Sequence, residues 1–329
     1  MRLMRVVKTM LTCALAAAVL SLGVQGASAQ GSLEEISYGS AAPSAAEWPF
    51  YVANDMGFFR QEGLHPSIIV TGSTVSTINQ IATGEVNFAT AGTDSVVNAV
   101  ARHLAIKLIA PSMVTPPYSL MVLPSITSWQ QLKGKTISLA TKQEITAIAF
   151  RMMAKAHHLD WNNDFSITLA GSTPARYAAL QSGNVQGAML GQPFNFTAEA
   201  QGMRTLDEAY NYMKVWMFDG IVVNPTWAAA HRQTVVKFIR ALRKGTEYAY
   251  THRDDAIRIL ANETHSDRAI VEKAYDLDFG KWHAYARDAQ LDPKKVQGVI
   301  DGVVAQGVLP APIPLSDLID TSYGREALR

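Results

Sequence analysis

The sequence predicts an α/β protein made of two similar lobes with a ligand cleft between them. The chain has 329 residues, of which 48% are hydrophobic and 17% charged, so it has enough apolar material for a large core. Segments typical of strands and helices alternate along most of it, which favours α/β lobes. One strand and helix unit also occurs twice, about 100 residues apart.

The internal repeat is the strongest of these observations. Residues 72–92 align without a gap with residues 171–191, and seven of the 21 positions are identical. In each copy a Ser-Thr pair after the first glycine predicts a helix N-terminus. Gly84 and Gly183 predict the end of that helix in the left-handed conformation. A short apolar strand and another glycine follow, so we expect the same strand–helix–strand unit in both lobes.

The other elements are predicted from apolar periodicity between turn residues. Strands are expected at residues 36–39, 67–71, 86–91, 107–110, 119–123, 136–140, 166–170 and 185–190. Helices are expected between them at residues 50–62, 93–103, 144–157 and 194–201. From residue 226 the pattern is almost entirely helical, with helices expected at residues 234–251, 254–262, 267–275 and 293–305.

The lobes are expected to be joined by short crossings, because no long Pro-, Gly- or Ser-rich linker interrupts the chain. The predicted crossings lie at residues 118–120 and 218–222. Lobe 1 would then comprise residues 30–117 and the returning residues 223–329, with lobe 2 formed by residues 118–222. The helical C-terminal region is expected to pack on lobe 1.

Residues 1–29 have the pattern of a secretory signal peptide. Three cations precede an apolar run at residues 10–24, and the small residues Ala27-Ser28-Ala29 follow it. The run is shorter than the ~20 residues that a membrane-spanning helix needs. We therefore expect an exported protein, most simply one of a bacterial periplasm.

Composition excludes several classes of function. Without the three cations of the predicted peptide, 26 basic and 28 acidic residues remain, so we expect no nucleic-acid partner. The single cysteine, Cys13, lies within the peptide, which excludes a disulfide scaffold, a Cys-ligated metal and a Cys nucleophile in the mature chain. Motifs of zinc proteases, serine hydrolases and nucleotide-binding loops do not occur either. We predict no metal, no cofactor and no catalytic residues.

Several motifs resemble those of one known family. They are Trp48-Pro49-Phe50-Tyr51-Val52-Ala53, Met56-Gly57-Phe58-Phe59, Glu62-Gly63-Leu64, Gly84-Glu85-Val86-Asn87-Phe88-Ala89, Leu132-Lys133-Gly134-Lys135-Thr136-Ile137, Ala179-Leu180-Gln181-Ser182-Gly183-Asn184-Val185 and Gln192-Pro193. Over residues 35–310 the chain resembles the nitrate/sulfonate/taurine (NitT/TauT) class of ABC-transporter periplasmic substrate-binding proteins, which are SsuA/THI5-like and NMT1-like. At Asn87 the family often has Asp. The resemblance implies the type II periplasmic binding protein fold, a small-molecule ligand and a permease partner in the inner membrane.

The candidate binding residues follow from the position of the loops, because ligands of open α/β sheets lie beyond the carboxyl ends of the strands. They are Ser40, Glu47, Trp48, Ser73, Thr74, Gly92, Thr93, Asp94, Tyr118, Thr141, Gln143, Gln192, Phe194 and Asp219. The hydroxyl residues and Gly92 stand at helix N-termini, whose N–H groups suit a carboxylate, sulfonate or nitrate. Trp48 and Tyr118 are the preferred aromatic walls.

The charge expected at the cleft is small. Lys142 lies in one of the candidate loops and Arg176 just inside a helix, so either could supply a cation to the ligand. The preferred interpretation of both is a solvated surface charge, and no arginine lies in the loops closest to the predicted cleft. A ligand with one anionic group or none is therefore favoured.

Three ligand classes stay open: a sulfonate or taurine-like compound, an aromatic carboxylate, and a pyrimidine-type thiamine precursor. Delivery to a sensor instead of a transporter also stays open. The superfamily contains a pyrimidine-synthesising enzyme with a cysteine-rich motif. The thiol-free mature chain lacks that motif, so we predict a binding protein and not an enzyme. We also expect a monomer.

Overall fold

The computed structural model describes residues 32–329, and the predicted signal peptide lies outside the described residues. The described part contains two five-stranded mixed sheets, each with helices packed against it. We call the part built on the first sheet the first lobe and the part built on the second sheet the second lobe.

The first sheet has the strand order β2-β1-β3-β10-β4. Its strands are β1 (Glu34–Ser40), β2 (Leu64–Val70), β3 (Phe88–Gly92), β4 (Lys107–Pro111) and β10 (Asp219–Val223). Strand β1 is parallel to β2 and β3, whereas β10 is antiparallel to both β3 and β4. The chain thus inserts a late strand between two early ones.

The second sheet has the related order β7-β6-β8-β5-β9. Its strands are β5 (Ser119–Val122), β6 (Thr136–Leu139), β7 (Ser166–Leu169), β8 (Gly187–Leu190) and β9 (Arg204–Glu208). Strand β6 is parallel to β7 and β8, and β5 is antiparallel to β8 and β9. Each sheet therefore receives one antiparallel strand directly after the chain has crossed from the other.

The return crossing requires a correction. Residues 219–223 pair with β3 and β4 of the first sheet, so the chain has already returned before Asp219. The predicted crossing at residues 218–222 and the boundary after residue 222 are accordingly too late. All five residues of β10 are buried between its neighbours, and this short apolar run was not predicted as a strand. Strand β9 was not predicted either.

The helices of the first 230 residues largely follow the predicted positions. They are α1 (Trp48–Asp55), α2 (Phe58–Gln61), α3 (Thr74–Thr83), α4 (Thr93–Ala101), α5 (Trp129–Leu132), α6 (Ile145–Ala156), α7 (Thr173–Gln181), α8 (Phe194–Ala200) and α9 (Pro225–Ala230). The single helix predicted at residues 50–62 is instead two helices. It breaks at Gly57, whose φ of 72° is in the left-handed region.

The C-terminal region is helical, as predicted. It contains α10 (Arg232–Thr251), α11 (Arg253–Thr264), α12 (Arg268–Tyr275), a π-helical turn (Asp276–Lys281), α13 (Pro293–Ala305), α14 (Leu315–Leu318) and α15 (Ser322–Ala327). In α10, Phe238 stacks on Phe88 of β3 with ring centroids 4.0 Å apart. Helices α10 and α1 also approach closely at Gly245, which has no Cβ. A Cβ on this residue would lie 2.5 Å from the Pro49 carbonyl oxygen. The predicted packing of this region on the first lobe is confirmed.

None of the helices within residues 32–329 combines the length and apolar character that crossing a membrane requires.

Candidate ligand-binding site

A cavity of about 160 Å³ lies between the two lobes and is lined by residues of both. Ten of the fourteen residues predicted for the site line it: Glu47, Ser73, Thr74, Gly92, Asp94, Tyr118, Thr141, Gln192, Phe194 and Asp219. Their loops follow the carboxyl ends of strands, which is where open α/β sheets hold ligands. That these side chains bind a ligand stays a prediction.

Four predicted residues do not line the cavity. Trp48 is completely buried, and its indole N–H donates to the Ala256 carbonyl oxygen at 2.7 Å. The ring packs against Tyr275 and Phe279 of the C-terminal region, so its contacts are those of the core. Neighbouring Pro49 stands in the first turn of a helix and not in a cleft loop.

The other three have different positions. Ser40 is buried behind the wall, where its hydroxyl donates to Glu47 Oε1 at 2.9 Å. Thr93 is completely buried in the first turn of α4, and its backbone N–H donates to the Phe218 carbonyl oxygen. Gln143 is exposed and lines a separate hollow at the rim. None of these three side chains lines the cavity between the lobes.

The repeated residues form matching parts of the two walls. Ser73-Thr74 and Ser172-Thr173 begin α3 and α7, and all four residues line the cavity. Gly92 and Gly191 occupy equivalent positions at the ends of β3 and β8 and also line it. A Cβ on Gly191 would lie 3.3 Å from the Tyr118 ring and 3.4 Å from Thr173 Oγ1. The duplicated unit therefore supplies similar close approaches from both sides.

Glu47 is a buried carboxyl group of the first lobe. Its oxygens accept hydrogen bonds from the hydroxyls of Ser40 at 2.9 Å and Ser44 at 2.7 Å. These bonds favour the ionised form, but burial outweighs them and raises the pKa of Glu47 to about 7.

Asp94 and Asp219 lie beside each other on the same wall. A Cβ on Gly92 would be 2.8 Å from Asp94 Oδ1 and 3.6 Å from Asp219 Oδ1, so both carboxyls flank this glycine. Burial, with a smaller effect of Glu144, raises the pKa of Asp94 to about 7. Burial and the nearby carboxyls of Glu47, Asp94 and Glu144 raise the pKa of Asp219 well above its ordinary value.

The second lobe contributes Glu144 and Arg176, neither of which was predicted for the site. Arg176 is 2% exposed, so its interpretation as a surface charge was wrong. Its guanidinium donates to the Met189 carbonyl oxygen at 2.7 Å, to Thr173 Oγ1 at 2.8 Å and to the Gly171 carbonyl oxygen. Burial raises the pKa of Glu144, while the Arg176 charge opposes that rise. A local sequence pattern gives no signal for such long-range pairing.

Aromatic rings form the apolar part of the wall. Tyr118 and Phe218 stand on the two crossings between the lobes and meet edge to face, with centroids 5.3 Å apart. Phe194 of α8 completes this side. Aromatic side chains beside a few polar groups are common in small-molecule sites.

Gln192 connects the second lobe to the C-terminal region. With its amide oriented to satisfy its neighbours, the nitrogen donates to Asp278 Oδ1 at 2.7 Å and to Asp278 Oδ2 at 2.5 Å. Asp278 is completely buried, and burial raises the pKa of its carboxyl well above the ordinary value. These hydrogen bonds hold the Gln192 amide in place, and their acceptor, Asp278, does not itself line the cavity.

Within the part of the chain that the structure describes, no group of three or more His, Cys, Asp or Glu side chains is arranged to hold a metal ion. The four acidic residues at the cavity are thus not organised as a metal centre.

Comparisons with known proteins identify the family and the fold. The family model described as NMT1/THI5 like matches residues 45–256. A curated relative from Bacillus subtilis (strain 168), YtlA, is provisionally named a binding protein; it is 22% identical over 284 residues, which is 83% of each chain.

Solved structures share the two-lobe fold. The ligand-binding component of an ABC-type import system from Staphylococcus aureus has a TM-score of 0.76 at 14% identity and covers 90% of this chain and 99% of its own. The alkanesulfonate-binding protein SsuA from Xanthomonas axonopodis pv. citri, bound to MOPS, has a TM-score of 0.71 at 16% identity and covers 90% and 100%.

An enzyme has the same fold. The desulfurization enzyme DSZB has a TM-score of 0.66 at 14% identity and covers 90% of this chain and 99% of its own. The predicted type II periplasmic binding protein fold is confirmed by these likenesses, and because the family model spans more than half of the residues, the chain belongs to the NMT1/THI5-like family.

Proposed function

We propose that this protein is the ligand-binding component of an ABC importer, which binds a small organic compound between its lobes and delivers it to a permease in the inner membrane. The single observation that carries the proposal is the cavity between the lobes, to which each copy of the internal repeat contributes part of one wall. Such a cleft can close on a ligand by a hinge motion about the crossings. Export by the predicted signal peptide would bring the protein to the periplasm.

The size of the cavity supports a ligand of about one ring. Its volume of about 160 Å³ is close to that of an engineered cavity of ~150 Å³ that binds benzene. The rings of Tyr118, Phe194 and Phe218 suit a flat compound of that size. Sulfonates, aromatic carboxylates and pyrimidines of this size all fit the volume, so charge and hydrogen bonding must distinguish them.

A binding protein without catalysis is favoured over an enzyme. The described cavity wall contains neither a cysteine nor a histidine, which are common nucleophiles and bases of enzymes. The cysteine-rich motif of the pyrimidine-synthesising enzyme therefore has no counterpart on this wall. Incubation of a bound compound with the purified protein should return it unchanged, and a product detected by mass spectrometry would favour the enzyme instead.

The proposal is tested by measuring whether the compound that the protein carries after purification closes the two lobes. The protein is purified from its own periplasm, the small molecule is extracted after denaturation, and its mass is measured. Added back to refolded protein, it should raise the unfolding temperature, since a ligand at a hundredfold excess over Kd stabilises the native state by about 2.7 kcal/mol. It should also reduce the radius of gyration in solution scattering. Absence of both effects for every compound extracted would contradict the proposal.

Transport and sensing differ in the partner. Deletion of the permease gene nearest to the gene for this protein should abolish uptake of the compound if the partner is an importer. Undiminished uptake, with loss of a transcriptional response, would favour the sensor.

A further inference from the structure

Three carboxyl groups of the first lobe face the cavity without a basic partner. Glu47, Asp94 and Asp219 are 4%, 1% and 7% exposed, and all three line the cavity. Among the described residues that line it, Arg176 is the only basic one, and it belongs to the second lobe. Buried carboxyls are normally paired, because leaving a charge without a partner in a low-dielectric site is costly.

Asp94 is the least satisfied of the three. Neither carboxyl oxygen has a hydrogen-bond partner, although both are shielded from solvent. The backbone N–H groups of Ile145, Ser95 and Asp94 itself point toward the carboxyl and favour its ionised form, but none of them reaches the distance and angle of a full hydrogen bond. An unpartnered buried polar group at a cavity is typical of a functional site, where the ligand supplies the missing donor.

Arg176 does not supply the missing charge. Its guanidinium is held by the Met189 and Gly171 carbonyl oxygens and by Thr173 Oγ1, so its donors are engaged with its own lobe. The Arg176 charge also acts on the pKa of Glu144, which lies in the second lobe as well. Charge is therefore balanced on one wall and uncompensated on the other.

We propose that the cleft takes an organic cation, a compound of about one ring whose protonated nitrogen lies against Asp94, Asp219 and Glu47. This inference rests on the proposed function, because it concerns the ligand of the same cleft. A cation gains Coulomb energy from these carboxyls in their ionised form. The Tyr118 ring already has the Arg176 guanidinium 5.7 Å from its centroid, so the carboxyls provide the main attraction. A sulfonate or carboxylate would instead add negative charge to this wall.

The proposal implies pH-dependent binding. The titratable side chains that face the three carboxyls are Tyr38, Tyr51, Tyr118, Glu144, Arg176 and Tyr285. Burial raises the pKa of each of the four tyrosines, so they stay neutral below pH 9. Because the pKa values of Glu47 and Asp94 are about 7, a bound cation should expel protons from them. Affinity for a cation then rises between pH 5.5 and pH 8.

The first experiment compares benzamidine, benzamide and benzoate, which have nearly the same shape but are cationic, neutral and anionic. Their Kd values are measured by calorimetry on ligand-free protein at pH 5.5 and pH 8. We expect benzamidine to bind at least about tenfold more tightly than benzamide at pH 8, with a smaller ratio at pH 5.5, and benzoate to bind most weakly. Benzoate binding as tightly as benzamidine, or no benzamidine binding at either pH, would overturn the inference.

The second experiment uses charge-removing variants. Asp94→Asn keeps the size of the side chain and should reduce benzamidine affinity at least about tenfold, with little change for benzamide. Glu85→Gln removes an exposed carboxyl outside the cavity and should leave both affinities unchanged. Thermal unfolding of both variants shows whether they fold. Equal benzamidine affinity of Asp94→Asn and the parent protein would exclude a role for the Asp94 charge.

The extracted native compound separates this inference from the proposed function. If that compound closes the lobes and is a cation at pH 7, both stand. If it closes the lobes and is an anion, the ligand class is wrong while the binding function stands. If no extracted compound closes the lobes, both fail.

Discussion

Replacing Asp94 with asparagine is expected to stabilise the ligand-free protein at pH 8. The native pKa of about 7 lies above the ordinary value of 3.8, so the native state holds its proton longer than the unfolded state does. The free energy of unfolding therefore falls as pH rises from about 4 to 7. Above pH 7 the ionised Asp94 carboxyl destabilises the native state by its full amount. At 1.36 kcal/mol per pKa unit, that cost is about 4 kcal/mol.

Asparagine removes this cost but leaves an amide without partners, which costs about 1–3 kcal/mol. The net gain at pH 8 should therefore be about 1–3 kcal/mol, and at pH 4 it should vanish or change sign. Thermal and urea unfolding at the two pH values measure it, with Glu85→Gln as the control for loss of an exposed carboxyl. A variant less stable than the parent at pH 8 would refute the reasoning, because it would mean that Asp94 has compensating partners in the fold.

Three further substitutions test the packing around the cleft. Trp48→Phe should lower stability by about 1–3 kcal/mol, since the Ala256 carbonyl loses its donor, and should leave ligand affinity within about twofold; calorimetry and urea unfolding check this. Gly245→Ala should lower the unfolding temperature despite a helix-propensity gain of about 1 kcal/mol, because its Cβ would meet the Pro49 carbonyl, whereas Gly280→Ala, in open space, should not. Arg176→Lys should also unfold at a lower temperature, because one ammonium group cannot replace three guanidinium contacts, and an unchanged midpoint would contradict this.

Local sequence patterns were sufficient for the elements that local chemistry determines. Gly84 and Gly183 have φ values of 81° and 75° at the ends of α3 and α7, as the repeat predicted. The helix predicted at residues 293–305 has those bounds in the structure. In both cases the stop or start residue acts within one turn, so the signal is contained in a few adjacent residues.

Features that depend on distant partners could not be predicted in this way. Trp48 is buried by a carbonyl 208 residues away, at Ala256, and nothing beside Pro49 indicates that contact. Strand β10 is recognisable only once β3 and β4 are known to accept it between them. Arg176 resembles any charged residue in the first turn of a helix until the Met189 carbonyl is placed next to it.

The repeat accounts for part of the difference in charge between the two walls of the cleft. Arg176 aligns with Thr77, and each helps to hold the loop that begins its own helix: Arg176 donates to the Gly171 carbonyl oxygen, and Thr77 Oγ1 donates to the Ser73 carbonyl oxygen at 3.0 Å. The loop before the helix is thus held by a cationic side chain in the second lobe and by a hydroxyl in the first.

The acidic side of the cleft differs between the copies in the same manner. Asp94 aligns with Pro193, so the second lobe has no carboxyl at that position. The shared geometry of Gly92 and Gly191 builds two similar walls, whereas the positions that differ between the copies place negative charge on one wall and a balancing arginine on the other. A ligand that bridges such walls has a defined orientation, because only its cationic end is favoured beside Asp94. Lobe closure would then depend on which end of the ligand carries the charge. Two isomers of a disubstituted ring, with the cationic group at opposite ends, should therefore reduce the radius of gyration to different extents.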